Sequence, residues 1–227
     1  MNPLLATALI GWLACSATLA AGPANGSNAL SQAIRDGDSG AVQKLLKSGV
    51  DPRSLDAAGN TALHWAALSG DERIVAALLG AGADARATNS AGATPLHYGV
   101  GNERVVGLLL KAGANPNARS AAGGTPLHAA AGRPESFAAV KRLVEAGAEV
   151  DPVRVPSTPF EPRDTPLSLA AFMGDERTVK FLLDRGAAPG GTGGTNSPIS
   201  PVAGAALGGR ERILKLLVSR GGSVNCD

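Results

Sequence analysis

Residues 125–131 have the sequence TPLHAAA, and altered copies of this motif return along most of the chain. The copies are NALSQAI from Asn28, TALHWAA from Thr61, TPLHYG from Thr94, TPLSLAA from Thr165 and SPVAGAA from Ser200. The six starts lie 33, 33, 31, 40 and 35 residues apart, and each copy precedes an apolar run that ends close to a glycine. Self-similarity at this period is typical of an array of small stacked units, in which function belongs to a surface.

The composition fits such an array and disfavours one class of partner. The chain has 227 residues, of which 44 % are hydrophobic but only 3 % aromatic, so small aliphatic residues must supply the core. Its 21 basic and 19 acidic residues are spread along the chain and give a net charge of +2. Because this balance leaves no basic stripe for a phosphate backbone, nucleic acid is not expected as a partner.

The first 22 residues differ in kind from the rest of the chain. Leu4 to Leu19 contains no charged residue, and Ala20, Ala21 and Gly22 follow it. An apolar segment that ends in small residues predicts a secretory signal peptide at 1–22, cut after Ala20 or Gly22. A flexible linker at 23–27 would then precede the array, and the mature chain would be periplasmic or secreted.

Two alternatives would place the chain at a membrane. The apolar segment could remain uncleaved, although its run of about 16 residues is short for a span of about 20. Cys15 could instead be lipidated, although of the Leu-small-small triplet that precedes a bacterial lipoprotein cysteine only Ala14 matches, and Trp12 does not. Either outcome would make the protein a membrane-anchored structural tether.

Each unit carries the start and stop signals of two helices. Thr94 can accept a hydrogen bond from the first turn of a helix, and Pro95 fits a position that needs no amide. The second helix is indicated by apolar residues three and four apart, as in the run 74–79. Gly82 then allows the left-handed conformation that ends many helices.

The motif TPLHxAA, a glycine, the run VVxLLLxxGA and a polar loop that returns to threonine together resemble the ankyrin repeat. The resemblance covers Asn28 to Asp227 as six units, with starts near 28, 61, 94, 125, 165 and 200. It implies an all-α solenoid of stacked helix pairs with hairpin-like fingers. It also implies that a protein partner binds on the concave surface formed by fingers and first helices. The Ala- and Gly-rich composition and the compact signal indicate a bacterial exported scaffold, which we expect to be a monomer.

Three units depart from the pattern. The third lacks two residues after TPLHYG, so its first helix should be short, and the fourth has an extra residue in a loop marked by Pro134. The finger within 149–164 is longer by six residues and contains four prolines, which favour an extended path. The finger after Gly186 is longer by two residues and rich in glycine, so we expect it to be mobile.

The three histidines, His64, His97 and His128, occupy the same position of the motif. Equivalent positions on successive units lie too far apart to share a metal ion at about 2 Å per ligand. The resemblance implies that they instead form hydrogen bonds between neighbouring units. No histidine is then left for a catalytic triad, and we expect neither enzymatic activity, nor a metal, nor a cofactor.

Partner contacts are expected where the motif varies. Two such places are the end of the first helix and the fingers. They carry arginine and aromatic side chains, which dominate many protein interfaces when they stand on an ordered surface. Trp65 and Tyr98 are expected to be partly buried instead. The candidate contact residues are Arg53, Leu68, Arg86, Asn89, Arg119, Arg154, Phe160, Arg163, Phe172 and Met173.

A different class of function would use Cys226, the cysteine that a cleaved chain keeps. A redox accessory or small enzyme would need this thiol to be exposed and acidic, whereas the neighbouring Asp227 disfavours the thiolate. Protein binding is therefore the favoured hypothesis, and a role for Cys226 is the alternative.

Overall fold

The computed structural model describes residues 26–154, 164–190 and 200–223. Within these ranges the chain forms twelve α-helices in six consecutive pairs, and its β pairing is a single bridge between Leu55 and Thr61. The first helices are α1 (Gly26–Arg35), α3 (Ala62–Ser69), α5 (Pro95–Tyr98), α7 (Pro126–Ala131), α9 (Pro166–Met173) and α11 (Pro201–Leu207). The second helices are α2 (Ser39–Lys47), α4 (Glu72–Gly80), α6 (Glu103–Lys111), α8 (Phe137–Glu145), α10 (Glu176–Asp184) and α12 (Glu211–Ser219). The prediction of an all-α solenoid is confirmed.

The pairs are stacked in chain order. Each first helix packs against the first helices of neighbouring pairs, and each second helix packs against neighbouring second helices. The motif leucine is fully buried at this contact in four successive pairs. These four residues are Leu63, Leu96, Leu127 and Leu167. A continuous apolar core therefore runs from Leu30 to Leu217 and has no single centre.

Local chemistry fixes the ends of the helices as the motif predicts. The carboxylate of Asp71 accepts hydrogen bonds from the amides of Arg73 and Ile74, at 2.8 and 3.1 Å, and so caps α4. Gly82 then ends the turn after α4 with a φ of +86°, a conformation that strains residues with a side chain.

The third pair is shortened, as the sequence predicted. Helix α5 has only four residues and continues as a 3-10 turn at Gly99–Gly101. A Cβ atom on Gly99 would lie 2.9 Å from the Cγ1 atom of Val105, so the missing side chain allows α6 to approach closely. The stack therefore continues past the two absent residues.

The fourth pair has the predicted loop between its helices. Helix α7 ends at Ala131 and α8 begins at Phe137. Within this loop Glu135 has a φ of +59°, the only positive φ among the described residues other than glycine.

Burial predicts which leucines stabilise the stack. Leu109 is fully buried, so Leu109→Ala should lower the free energy of unfolding by about 2–5 kcal/mol through lost contacts and a residual cavity. Leu68→Ala is the matched control, since 47 % of Leu68 is exposed, and should change it by less than about 1 kcal/mol. Urea denaturation followed by circular dichroism measures both, and equal losses would contradict the stacked core.

Candidate functional site

The motif histidines join each unit to the next. In His64 the Nδ1 atom accepts a hydrogen bond from the amide of Thr61 at 3.1 Å, so the proton resides on Nε2. The Nε2 atom of each motif histidine donates to a carbonyl of the following unit, at 3.0 Å in His64, 3.1 Å in His97 and 3.3 Å in His128. The acceptors are the residues just before the next motif, Ala93, Gly124 and Asp164. The predicted structural role of the histidines is confirmed.

The fifth copy of the motif has Ser168 in place of histidine. Its hydroxyl donates to the carbonyl of Thr165 at 2.9 Å and accepts from the amide of Thr165 at 2.9 Å. The short side chain therefore keeps the cap of its own helix, and among the described residues it makes no hydrogen bond to the next unit like that of each histidine.

Burial keeps the imidazoles neutral. Desolvation lowers the pKa of His64, and it lowers the pKa of His97 to about 4. For His128 burial and the nearby Arg154 and Arg119 cations lower the pKa to about 3. Neutral imidazoles with both nitrogens in hydrogen bonds act as links of the framework.

Two of the predicted finger arginines form hydrogen bonds to the next unit and so brace it. The Nε atom of Arg53 donates to the carbonyl of Gly82 at 3.2 Å, and that of Arg86 donates to Gly113 at 2.8 Å. Asn117 occupies the equivalent position of the next finger, where its side-chain amide donates to the carbonyl of Gly147 at 2.9 Å. Both arginines remain exposed, so bracing leaves them available at the surface.

Asn89 differs from the other predicted contact residues because it is buried. Its Nδ2 atom donates to Oδ1 of Asn60 at 2.8 Å and to the hydroxyl of Tyr98 at 2.9 Å. Its Oδ1 atom accepts from the amides of Ala91 and Ala93, both at 3.0 Å. These hydrogen bonds give Asn89 a structural role, because they hold the backbone of its finger.

The predicted residues around the long finger form ion pairs. Arg119 lies 3.7 Å from the carboxylate of Glu149 and donates to the carbonyl of Val153 at 3.0 Å. The Nε atom of Arg154 lies 2.8 Å from Oδ1 of the buried Asp164. Burial raises the pKa of Asp164 to about 6, although the Arg154 cation opposes this shift.

Phe160 and Arg163, together with most of the Pro-rich finger, lie outside the described residues. The Gly-rich stretch at 191–199, the segment 1–22 with Cys15, and Cys226 also lie outside them. The contact, signal, lipidation and thiol hypotheses for these residues therefore stay predictions.

The first helices present an uncharged surface. From α3 to α11, none of the first helices contains Asp, Glu, Lys or Arg. Leu68 is 47 % exposed and Leu207 58 % exposed, while Phe172 and Met173 are half-buried. We call these four side chains, with Trp65 and Tyr98, the first-helix face. Leu207 was missed by the sequence analysis, although it occupies the same motif position as Leu68 and Phe172.

Trp65 and Tyr98 are half-buried, as predicted, and connect this face to the fingers. The indole nitrogen of Trp65 donates to the carboxylate of Asp56 at 2.9 Å. The ring of Tyr98 lies edge-on to His64, with ring centres 5.8 Å apart. The first-helix face and the fingers therefore form one connected surface.

A family model for ankyrin repeats, three copies, matches this chain at residues 30–120, 83–154 and 99–193. The chain belongs to the ankyrin-repeat family. The sixth helix pair follows the matched range. Ankyrin repeats generally mediate protein–protein interaction, and the family is typically a non-enzymatic scaffold. No curated protein matches the chain.

The described residues contain neither a membrane-spanning helix nor a cluster of metal ligands. Among the helices that the structure describes, none is both long and apolar enough to cross a membrane. The same residues include no group of three or more His, Cys, Asp or Glu side chains placed to hold a metal ion.

The buried histidines predict a loss of stability in mild acid. Unfolding restores their pKa to about 6.5, so near pH 5 the unfolded chain binds more protons than the folded chain does. Asp164 and Asp151 act in the opposite direction, because burial raises their pKa values in the folded chain. The destabilising effect of the three histidines exceeds the stabilising effect of the two carboxyls. The free energy of unfolding should therefore fall by about 2 kcal/mol from pH 7 to pH 5.

Denaturation in urea at a series of pH values measures this dependence. His97→Gln is the informative variant: it should lower stability at pH 7 and reduce the loss between pH 7 and pH 5. A wild-type stability that is flat or rises on acidification would show that the imidazoles are not held neutral.

Proposed function

We propose that this chain is an exported ankyrin-repeat scaffold that binds a protein partner through its first-helix face and fingers. The observation that carries the proposal is that Leu68 and Leu207 are exposed, and Phe172 partly exposed, on helices without charged residues. Exposed apolar side chains that occupy one motif position on several units are typical of a surface that a partner covers.

The second helices offer a useful contrast. Phe137 and Phe181 pack edge to face on that side, with ring centres 5.6 Å apart. The guanidinium groups of Arg177 and Arg185 lie 4.7 and 4.6 Å from the centres of these rings. Aromatic side chains on the second helices are thus covered by charged ones of the same chain, which favours the first-helix face as the binding surface.

The hydrogen bonds between neighbouring units explain how such a surface binds efficiently. The histidines and the finger arginines fix neighbouring units relative to each other before a partner arrives. Preorganised side chains lose less conformational entropy on association, so more of the contact energy remains as affinity. Arg53, Arg86 and Arg119 stand on these braced fingers as polar contacts beside the apolar face.

Export to the periplasm or the medium is the second part of the proposal, and it is supported by the apolar segment at 1–22. A single folded chain presents the complete surface, so we propose that the mature protein acts as a monomer. Removal of the segment would leave the first-helix face in an oxidising, extracytoplasmic compartment.

Capture from a bacterial envelope fraction tests the binding surface. The bait is the chain from residue 23, compared with a variant carrying Leu68→Ser, Phe172→Ser and Leu207→Ser. We expect that variant to lose at least tenfold in affinity for the captured protein, which is about 1.4 kcal/mol. Isothermal titration with the purified partner measures the loss.

The matched control is Val218→Ser, because Val218 is 43 % exposed but lies on second helix α12. It should leave the affinity unchanged, and a chain shortened within 155–163 tests the Pro-rich finger in the same assay. Equal affinity of the triple variant and the wild type would overturn the proposed surface.

Intact-mass measurement of the protein recovered from a periplasmic fraction tests export. A mass that corresponds to a start after Ala20 or Gly22 is expected. A mass increased by lipid at Cys15, or a full-length mass in the membrane fraction, would replace export by anchoring.

A further inference from the structure

Two arginines border the uncharged first-helix face. One of them, Arg210, donates a hydrogen bond to the carbonyl of Phe172 at 3.4 Å. The other is Arg133. Arg133 directly follows the turn after α7 and is half-buried. A Cβ atom on Gly101 would lie 3.2 Å from its Nη2 atom and 3.6 Å from its Cζ atom, so the guanidinium rests on the preceding unit. Within the described part of the chain, its side chain has neither an ion pair nor a hydrogen bond, whereas Arg104, Arg142 and Arg220 each pair with a carboxylate.

The shortened third unit explains this position. Two residues are missing after α5, and the 3-10 turn Gly99–Gly101 has no side chain where α3 carries Leu68. The guanidinium of Arg133 occupies the space beside Gly101. Along the stack it therefore lies between Leu68 of the second unit and Phe172 of the fifth.

The backbone around Arg133 is held in place. Its amide donates to the carbonyl of Ala130 at 3.0 Å, and its carbonyl accepts from the buried Ser136 hydroxyl at 2.9 Å. Glu135 adopts the left-handed region, a strained conformation for a residue with a side chain. Strain of this kind persists where surrounding contacts enforce it, and it is concentrated at binding sites.

We propose that Arg133 receives a carboxylate of the protein partner, so that the bound segment carries Asp or Glu between apolar side chains. This inference rests on the proposed function and names the partner chemistry of the same surface. A guanidinium matches a carboxylate through two parallel hydrogen bonds, and the surrounding apolar groups strengthen that pair when water leaves.

A displayed peptide library tests the proposal without a known partner. Random twelve-residue peptides on phage are panned against the chain from residue 23, and binders are kept only if Leu68→Ser or Phe172→Ser abolishes binding. We expect these peptides to be enriched in Asp or Glu flanked by Leu, Phe or Met. Panning against Arg133→Glu should select Lys or Arg at the same position instead.

Affinities of one selected peptide then isolate the ion pair. Arg133→Gln should weaken binding about tenfold, and a peptide with Asp changed to Asn should bind the wild type and Arg133→Gln equally. Gly101→Ala should weaken binding by a smaller factor, because the new Cβ displaces the guanidinium while the charge stays. Arg212→Gln, at an exposed cation of α12, is the control and should have no effect.

The outcomes separate the two proposals. Peptides that depend on Leu68 and Phe172 but show no acidic preference, and that bind Arg133→Gln as tightly as the wild type, overturn the carboxylate and leave the proposed function standing. A library that yields no peptide dependent on Leu68 or Phe172 overturns the proposed surface and this inference with it. Thermal denaturation of each variant verifies that it is folded.

Discussion

No helix pair of this chain can bury its own apolar side. Leu96 and Leu127 are fully buried because neighbouring first helices cover them, and the second helices repeat this arrangement on the other side. Stability is therefore a property of the contacts between units. The histidine links and the arginine braces act at the same boundaries, so the features that stabilise the fold also fix the spacing of its surface groups.

The two sides of the stack are chemically different. On the second-helix side charges pair across units, as between Arg220 and Asp184 at 3.0 Å. The first helices lack such pairs because they lack charged residues. Their motif leucines are buried on one side of each helix only. The opposite side is left apolar and partly exposed, which is the physical basis for placing recognition there.

Much of this could be predicted from the sequence, because the motif encodes contacts within one unit. The caps and the short α5 follow from local spacing, whereas the role of His97 between units was implied by the family resemblance. The contacts of Arg53, the burial of Asn89 and the position of Arg133 could not be predicted, since each depends on how one unit sits against the next. Asn89 shows the consequence: a polar finger residue was expected to meet a partner, yet its amide binds Asn60 of the preceding finger.

Hydrogen exchange of the mature chain, alone and with a bound partner, tests whether recognition uses the first-helix side of the stack. We expect slower exchange in α3, α9, α11 and the fingers, with unchanged exchange in α4 and α10. Protection confined to the second helices would contradict this expectation, because recognition would then use the charged side of the stack.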